Sequence, residues 1–222
     1  MDKNKATESQ FQCLLIRHWP TLWNIQNKIQ GKSDVPLCED SFKELKTLYV
    51  AKPYNRWRWF SSPLKRARQT AEYLKKNSDF ICDQRLRELD FGCWEGHRLQ
   101  DLRKADKAKM QAIEEMGINM RPPMGETPSE VQTRLLDFLA DHSKQKPISD
   151  LVLITHKSVL RALLSLALGW DMKSQCPVKI KKQQGYLFTY CKKQENRKKQ
   201  DKDYILTFME GSSRFITSLN SS

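Results

Sequence analysis

Two short apolar runs, Cys13–Ile16 and Leu151–Thr155, each lead into a histidine, through Arg17 to His18 in the first case and directly to His156 in the second. Continuous apolar runs of this length predict strands buried on both faces, as in a parallel sheet. Between and after them, apolar residues recur at helical spacing around Phe42–Leu48 and over Leu64–Lys75, Leu99–Met116, Ser129–Asp141 and Val159–Leu168. Short strands are expected near Trp57–Phe60 and at Ile81, with loops at Gly31–Leu37 and Met120–Pro128. The alternating segments Tyr186–Cys191 and Tyr204–Met209 predict a hairpin. Strands alternating with helices predict an α/β chain: a three-layer sandwich with a mostly parallel sheet flanked by helices. One domain over residues 1–222 is expected, with 1–10 as a flexible tail, 192–203 as a basic hairpin loop and the polar Leu99–Met116 helix placed to cover a site.

Composition narrows this only modestly. The net charge is +13, yet the densest basic stretch, Lys192–Lys202, has no aromatic residue for base stacking. A nucleic-acid partner is therefore not expected, and the charge is read as a field that draws in small anions. Met1–Gln10 lacks the apolar centre of a secretion signal, and no stretch is long and apolar enough to span a membrane, so a cytoplasmic location is expected. The six cysteines form no CxxC pair and stand at no ligand-like spacing from His97 or His142, so free thiols and no metal are expected. No exposed apolar stripe demands a homodimer, though one is compatible with the pattern.

In an open α/β sheet, chemistry collects beyond the carboxyl ends of the strands, which is where His18 and His156 are expected. A neutral imidazole can attack phosphorus and form a phosphohistidine. The adjacent Arg17 can bind phosphate oxygens in a forked geometry. As a strand-end group, His18 is expected to face solvent. Ser62 is placed to N-cap the Leu64–Lys75 helix, with Pro63 in its first turn and Arg66 one turn in, giving an anion site at a helix N-terminus. Leu86–Gly96 offers three carboxylates, Glu88, Asp90 and Glu95, among apolar residues and glycines. One of them, partly desolvated, could hold a proton for a leaving oxygen. Spacing does not choose among the three.

Together these segments resemble the histidine phosphatase superfamily, the phosphoglycerate mutase-like proteins. Arg17-His18-Trp19-Pro20-Thr21-Leu22-Trp23-Asn24 is similar to the family's RHG-x-T-x-WN opening, Gly31–Leu37 to its G-x-x-D-x-PL loop and Ser62–Ala71 to its S-x-L-x-RA-x-QTA helix. Leu86–Gly96 resembles its acid segment, Pro122–Thr127 its P-x-GES loop, and Thr155-His156 with Val159-Leu160-Arg161 its second-histidine motif. The resemblance implies a phosphoglycerate mutase-like fold and a cofactor-independent enzyme acting on a small anionic phosphoester. It implies His18 as the phosphorylated nucleophile, with Arg17, Arg66 and His156 around the phosphate, Asn24 adding a hydrogen bond and Glu88 as proton donor. Trp94-Glu95-Gly96 resembles the phosphatase branch more than the mutases. A phosphoglycerate mutase and a non-catalytic phosphoester-binding module stand as alternatives. Two departures stand out: Trp19 occupies the position of the family's glycine after the nucleophile, where it is expected to crowd or wall the pocket mouth, and Lys157–Ser158 replace a glycine pair, Lys157 adding a cation beside the phosphate.

Overall fold

The computed structural model describes residues 9–76, 79–193, 203–212 and 215–218. In chain order its elements are β1 (Ser9–Arg17), α1 (Leu22–Ile25), α2 (Glu39–Lys46), β2 (Leu48–Val50), β3 (Arg58–Ser61), α3 (Lys65–Lys75), β4 (Ile81–Cys82), α4 (Leu99–Ala105), α5 (Lys107–Glu114), α6 (Pro128–Ser143), β5 (Leu151–Thr155), α7 (Lys157–Leu168), β6 (Gly185–Lys192), β7 (Tyr204–Ser212) and β8 (Ile216–Ser218). Six strands form one mixed sheet in the order β4-β3-β5-β1-β6-β7. The first four run parallel, and β6 and β7 add an antiparallel edge.

Both faces of the sheet are covered, which is why β5 is buried at all five positions. Side chains alternate across the pleat and divide the core in two. Cys13, Leu15, Leu151 and Leu153 pack with Leu135, Phe138 and Leu163 from α6 and α7. Leu14, Ile16, Val152 and Ile154 pack with Leu45, Ala67 and Ala71 from α2 and α3. The helices follow from local chemistry. In α6, Thr127 and Glu130 form a reciprocal capping box with Pro128 just inside. The C-terminal end of α7 is closed by Gly169 at φ +65°.

Several expectations need correction. Strand β1 begins at Ser9, so Ser9 and Gln10 belong to the sheet rather than to a tail; residues 1–8 lie outside the described residues, as does most of the basic 192–203 loop. The Phe42–Leu48 helix ends at Lys46, and Leu48–Val50 instead pairs with Ile216–Ser218 in a two-stranded sheet that the pattern did not reveal. Leu99–Met116 is broken into α4 and α5 at Asp106, whose side chain caps α5. No helix among the described residues is long and apolar enough to cross a membrane.

Trp19 does not stand at a pocket mouth. It is 1% exposed and belongs to the second core cluster, while its backbone amide donates to Thr70 Oγ1 at 3.0 Å. Trp19→Ala should therefore act as a core truncation, lowering stability by about 3–5 kcal/mol. Urea denaturation checks this; a loss below about 1 kcal/mol would place the indole outside the core.

Candidate active site

Register decides where the site forms. Strand β1 pairs with β5 so that Arg17 lies opposite Thr155, and the His18 amide continues the ladder by donating to the Thr155 carbonyl at 2.9 Å. On the other side of β5, Ser61 lies opposite Ile154 and the Ser62 amide donates to the Ile154 carbonyl at 2.9 Å. Three adjacent parallel strands thus end level, delivering His18, His156 and Ser62 to one place.

The two imidazole rings lie 5.1 Å apart, centre to centre. His18 Nδ1 lies 2.6 Å from the carbonyl oxygen of Trp19. A carbonyl only accepts, so Nδ1 carries the hydrogen and, in the neutral ring, Nε2 carries the lone pair. His156 Nε2 lies 2.8 Å from Ser62 Oγ. That hydroxyl also accepts from the Leu64 amide at 3.3 Å; where it gives its own hydrogen to Nε2, the hydrogen of His156 is on Nδ1. Ser62 is therefore not an N-cap. The cap position of α3 is Leu64, with no side-chain hydrogen bond, and the serine hydroxyl serves a residue 94 positions away. Nor does His18 face solvent: it is 6% exposed and His156 is fully buried.

Arg66 is 1% exposed. Its Nη1 and Nη2 donate to the carbonyls of Ser33 and Gly31 at 2.8 and 2.7 Å, so it fastens the 31–33 loop to the site. Three buried nitrogens at this cluster, Arg17 Nε, Arg66 Nε and His156 Nδ1, have no hydrogen-bond partner among the described residues. Burial, then the charges of Arg66 and Arg17, hold His18 well below its ordinary 6.5. Burial, then Arg66 and His18, do the same to His156.

The three acids separate by their partners. Glu95 accepts from the Lys32 amide at 2.8 Å, the Ser33 amide at 2.9 Å and the Phe91 amide at 3.2 Å, and its carboxylate also meets the Ser33 hydroxyl. Gly31, at φ +53°, makes room for it, since a Cβ there would lie 1.9 Å from Glu95 Oε1. Asp90 accepts from the Gly92 amide at 2.8 Å and pairs with Lys32 at 2.9 Å. Glu88 is 7% exposed, accepts from the Leu89 amide at 2.9 Å and from Ser158, and faces Arg66 and Arg17. Burial raises its pKa above the ordinary 4.5 against those opposing influences. Glu88 thus joins the histidine cluster, whereas Glu95 and Asp90 hold loops. Asn24 is engaged locally rather than with the histidines: its Oδ1 accepts from the Thr21 amide at 3.0 Å in the capping box of α1. Lys157 is exposed, just beyond His156, and feels the charges of Arg17, Arg161 and Glu88.

The sequence model of the histidine phosphatase superfamily (branch 1) matches residues 13–197. The chain belongs to that superfamily. Among its relatives, the probable phosphoglycerate mutase GpmB of Cronobacter sakazakii is 33% identical over 161 residues, 71% of this chain and 75% of that protein. A mycobacterial glucosyl-3-phosphoglycerate phosphatase solved with VO3 superposes with a TM-score of 0.71 at 19% identity, covering 90% of this chain and 97% of the other. A putative alpha-ribazole-5'-P phosphatase from Escherichia coli K-12 gives a TM-score of 0.70 at 19% identity, over 92% and 97% of the two chains. These two structures share its fold.

In this histidine phosphatase superfamily member, sequence reasoning passed over a buried support. Arg134, on α6, forms a two-point ion pair with Glu126, at 2.9 and 3.1 Å. It also donates to the carbonyl of Arg85 and, at 3.4 Å, to that of Glu88. Thr155 Oγ1 donates to the Leu86 carbonyl at 2.8 Å. Both tie the acid segment to the sheet. A cavity of about 460 Å³ is lined by Leu89, Lys157 and Ser158, which directly follow Glu88 and His156 in the chain. The helices α4 and α5 contribute Leu99, Arg103 and Glu114 to its wall.

The depressed histidines have a stability consequence. The native state prefers them neutral, while the unfolded chain takes up protons below about 6.5. Their contribution is present above that value and is lost as pH falls toward the native values. The urea midpoint should drop from about pH 7.5 to about pH 5.5, and His156→Asn should flatten that drop. An unchanged slope in the variant would contradict a neutral buried His156.

Proposed function

We propose that the protein is a phosphomonoesterase that works through a phosphohistidine on His18. The observation that carries this is the hydrogen bond from His18 Nδ1 to the Trp19 carbonyl, which leaves Nε2 as a free nucleophile in a ring held neutral by burial and by Arg66 and Arg17. In the first step Nε2 bonds to phosphorus as the P–O bond to the alcohol breaks, and Glu88, whose raised pKa favours the acid, gives its proton to the leaving oxygen. The phosphoryl oxygens take hydrogen bonds from Arg17 Nε, Arg66 Nε and His156 Nδ1, each without a partner among the described residues. The phosphate also lies against the N-terminus of α7, which His156 opens. In the second step water attacks phosphorus, Glu88 accepts its proton, the P–N bond breaks and phosphate leaves with His18 neutral again. With Trp19 in the core, nothing in its position blocks turnover, which weighs against a non-catalytic module.

The name carried by the 33%-identical relative favours a second reading, a phosphoglycerate mutase, in which the phosphoryl group on His18 returns to a different oxygen of the substrate. Incubation with 3-phosphoglycerate and a bisphosphoglycerate primer separates the two: release of inorganic phosphate supports hydrolysis, and isomer formation supports the mutase.

Glu88→Gln tests the acid. Alkyl phosphates, with poor leaving groups, should slow by about a hundredfold to ten-thousandfold, and aryl phosphates with acidic phenols far less. Glu95→Gln should show no such dependence on leaving group. Selective loss in Glu95→Gln with uniform loss in Glu88→Gln would move the acid to Glu95.

A further inference from the structure

Helix α7 places two cations one turn apart, Lys157 and Arg161, and both line two cavities at once. One is the space of about 460 Å³ lined by Leu89 and Ser158. The other, of about 370 Å³, is bordered by Lys157, Arg161, Lys179 and Cys176. Like charges at this helical spacing repel one another. Among the described residues neither forms an ion pair with a carboxylate. Arg161 is instead held in place by stacking on Trp170, its guanidinium carbon 4.8 Å from the ring centre.

The larger cavity has a second character. Leu89, Phe91, Trp94, Leu99, Met120 and Met172 make its apolar wall. Its charged lining is Arg103, Lys157, Arg161 and Lys173 against the single acid Glu114, and Glu114 is already bound to Arg103 at 2.8 Å. The histidines are not in this wall, but Ser158, which binds Glu88, is. A molecule with its phosphoryl group at His18 would lay its body along the apolar wall and bring its far side to Lys157 and Arg161.

We propose that Lys157 and Arg161 form a second anion subsite, so that the preferred substrate is a phosphomonoester with an apolar body carrying a further carboxylate or phosphate. This rests on the phosphomonoesterase reading and adds to it the recognition of the substrate's other end. Lys157 then acts as a specificity residue at the far anion, not as a ligand of the transferred phosphate.

Affinity tests the subsite without turnover. By calorimetry, 4-carboxybenzylphosphonate should bind the wild-type protein about tenfold more tightly than benzylphosphonate, a gain that shrinks with added salt. p-Xylylenebisphosphonate shows whether a second phosphonate serves better than the carboxylate. Lys157→Gln and Arg161→Gln should each remove most of the gain, and Arg161→Lys, which keeps the charge, should retain part of it. Equal affinity of the two phosphonates for wild type, or a gain that survives both glutamine variants, overturns the subsite. Failure to release phosphate from the matching aryl phosphates would instead overturn the phosphomonoesterase reading, and would leave these affinities as measured.

Discussion

The hydrogen bond between His18 Nδ1 and the Trp19 carbonyl is the constraint on which the proposed chemistry depends. It fixes the tautomer, and with it the atom that can attack. The bond exists only because the chain turns directly after β1, sending the Trp19 indole into the second core cluster while its carbonyl stays at the site. The level ends of β1, β5 and β3 then set the other histidine and its serine against it. Packing and the site's geometry therefore share one residue: Trp19 anchors the core with its side chain and orients the imidazole with its backbone.

Electrostatics makes that arrangement costly and useful together. Two guanidiniums, two imidazoles and a carboxyl group are gathered where water is largely excluded. Burial and the arginines together favour neutral imidazoles, while burial raises the Glu88 carboxyl above its ordinary 4.5 against the opposing pull of Arg66 and Arg17. A nucleophile needs that neutral ring, and a leaving oxygen needs that acid. The supports are placed accordingly: Arg66 binds the 31–33 loop, and Arg134, with Glu126, binds the backbone under Glu88.

Much of this was legible in the sequence, for identifiable reasons. Strands β1 and β5 announce themselves because burial on both faces demands uninterrupted apolar runs, and α6 because its apolar residues recur at helical spacing, although its proline reads as loop. The small β2–β8 sheet was not legible: three-residue strands carry no usable period, and their pairing spans most of the chain. Ser62 read as a helix cap because that rule sees only neighbours, whereas its hydroxyl is taken by His156 from a distant strand end. Glu88 could not be told from Glu95 by spacing because their roles are set by partners far away in sequence, Ser158 for one and the 31–33 loop for the other. Arg134 gave no sign at all, being one arginine on an amphipathic helix until the fold buries it against Glu126.

The most direct test is nitrogen NMR of protein labelled with ¹⁵N-histidine, with the His18 ring assigned by its loss in His18→Asn. The account predicts a neutral ring with its hydrogen on Nδ1 and a bare Nε2, unchanged as the pH is lowered through 6.5, the ordinary value for a histidine. A ring carrying its hydrogen on Nε2, or one that titrates near that ordinary value, would contradict it.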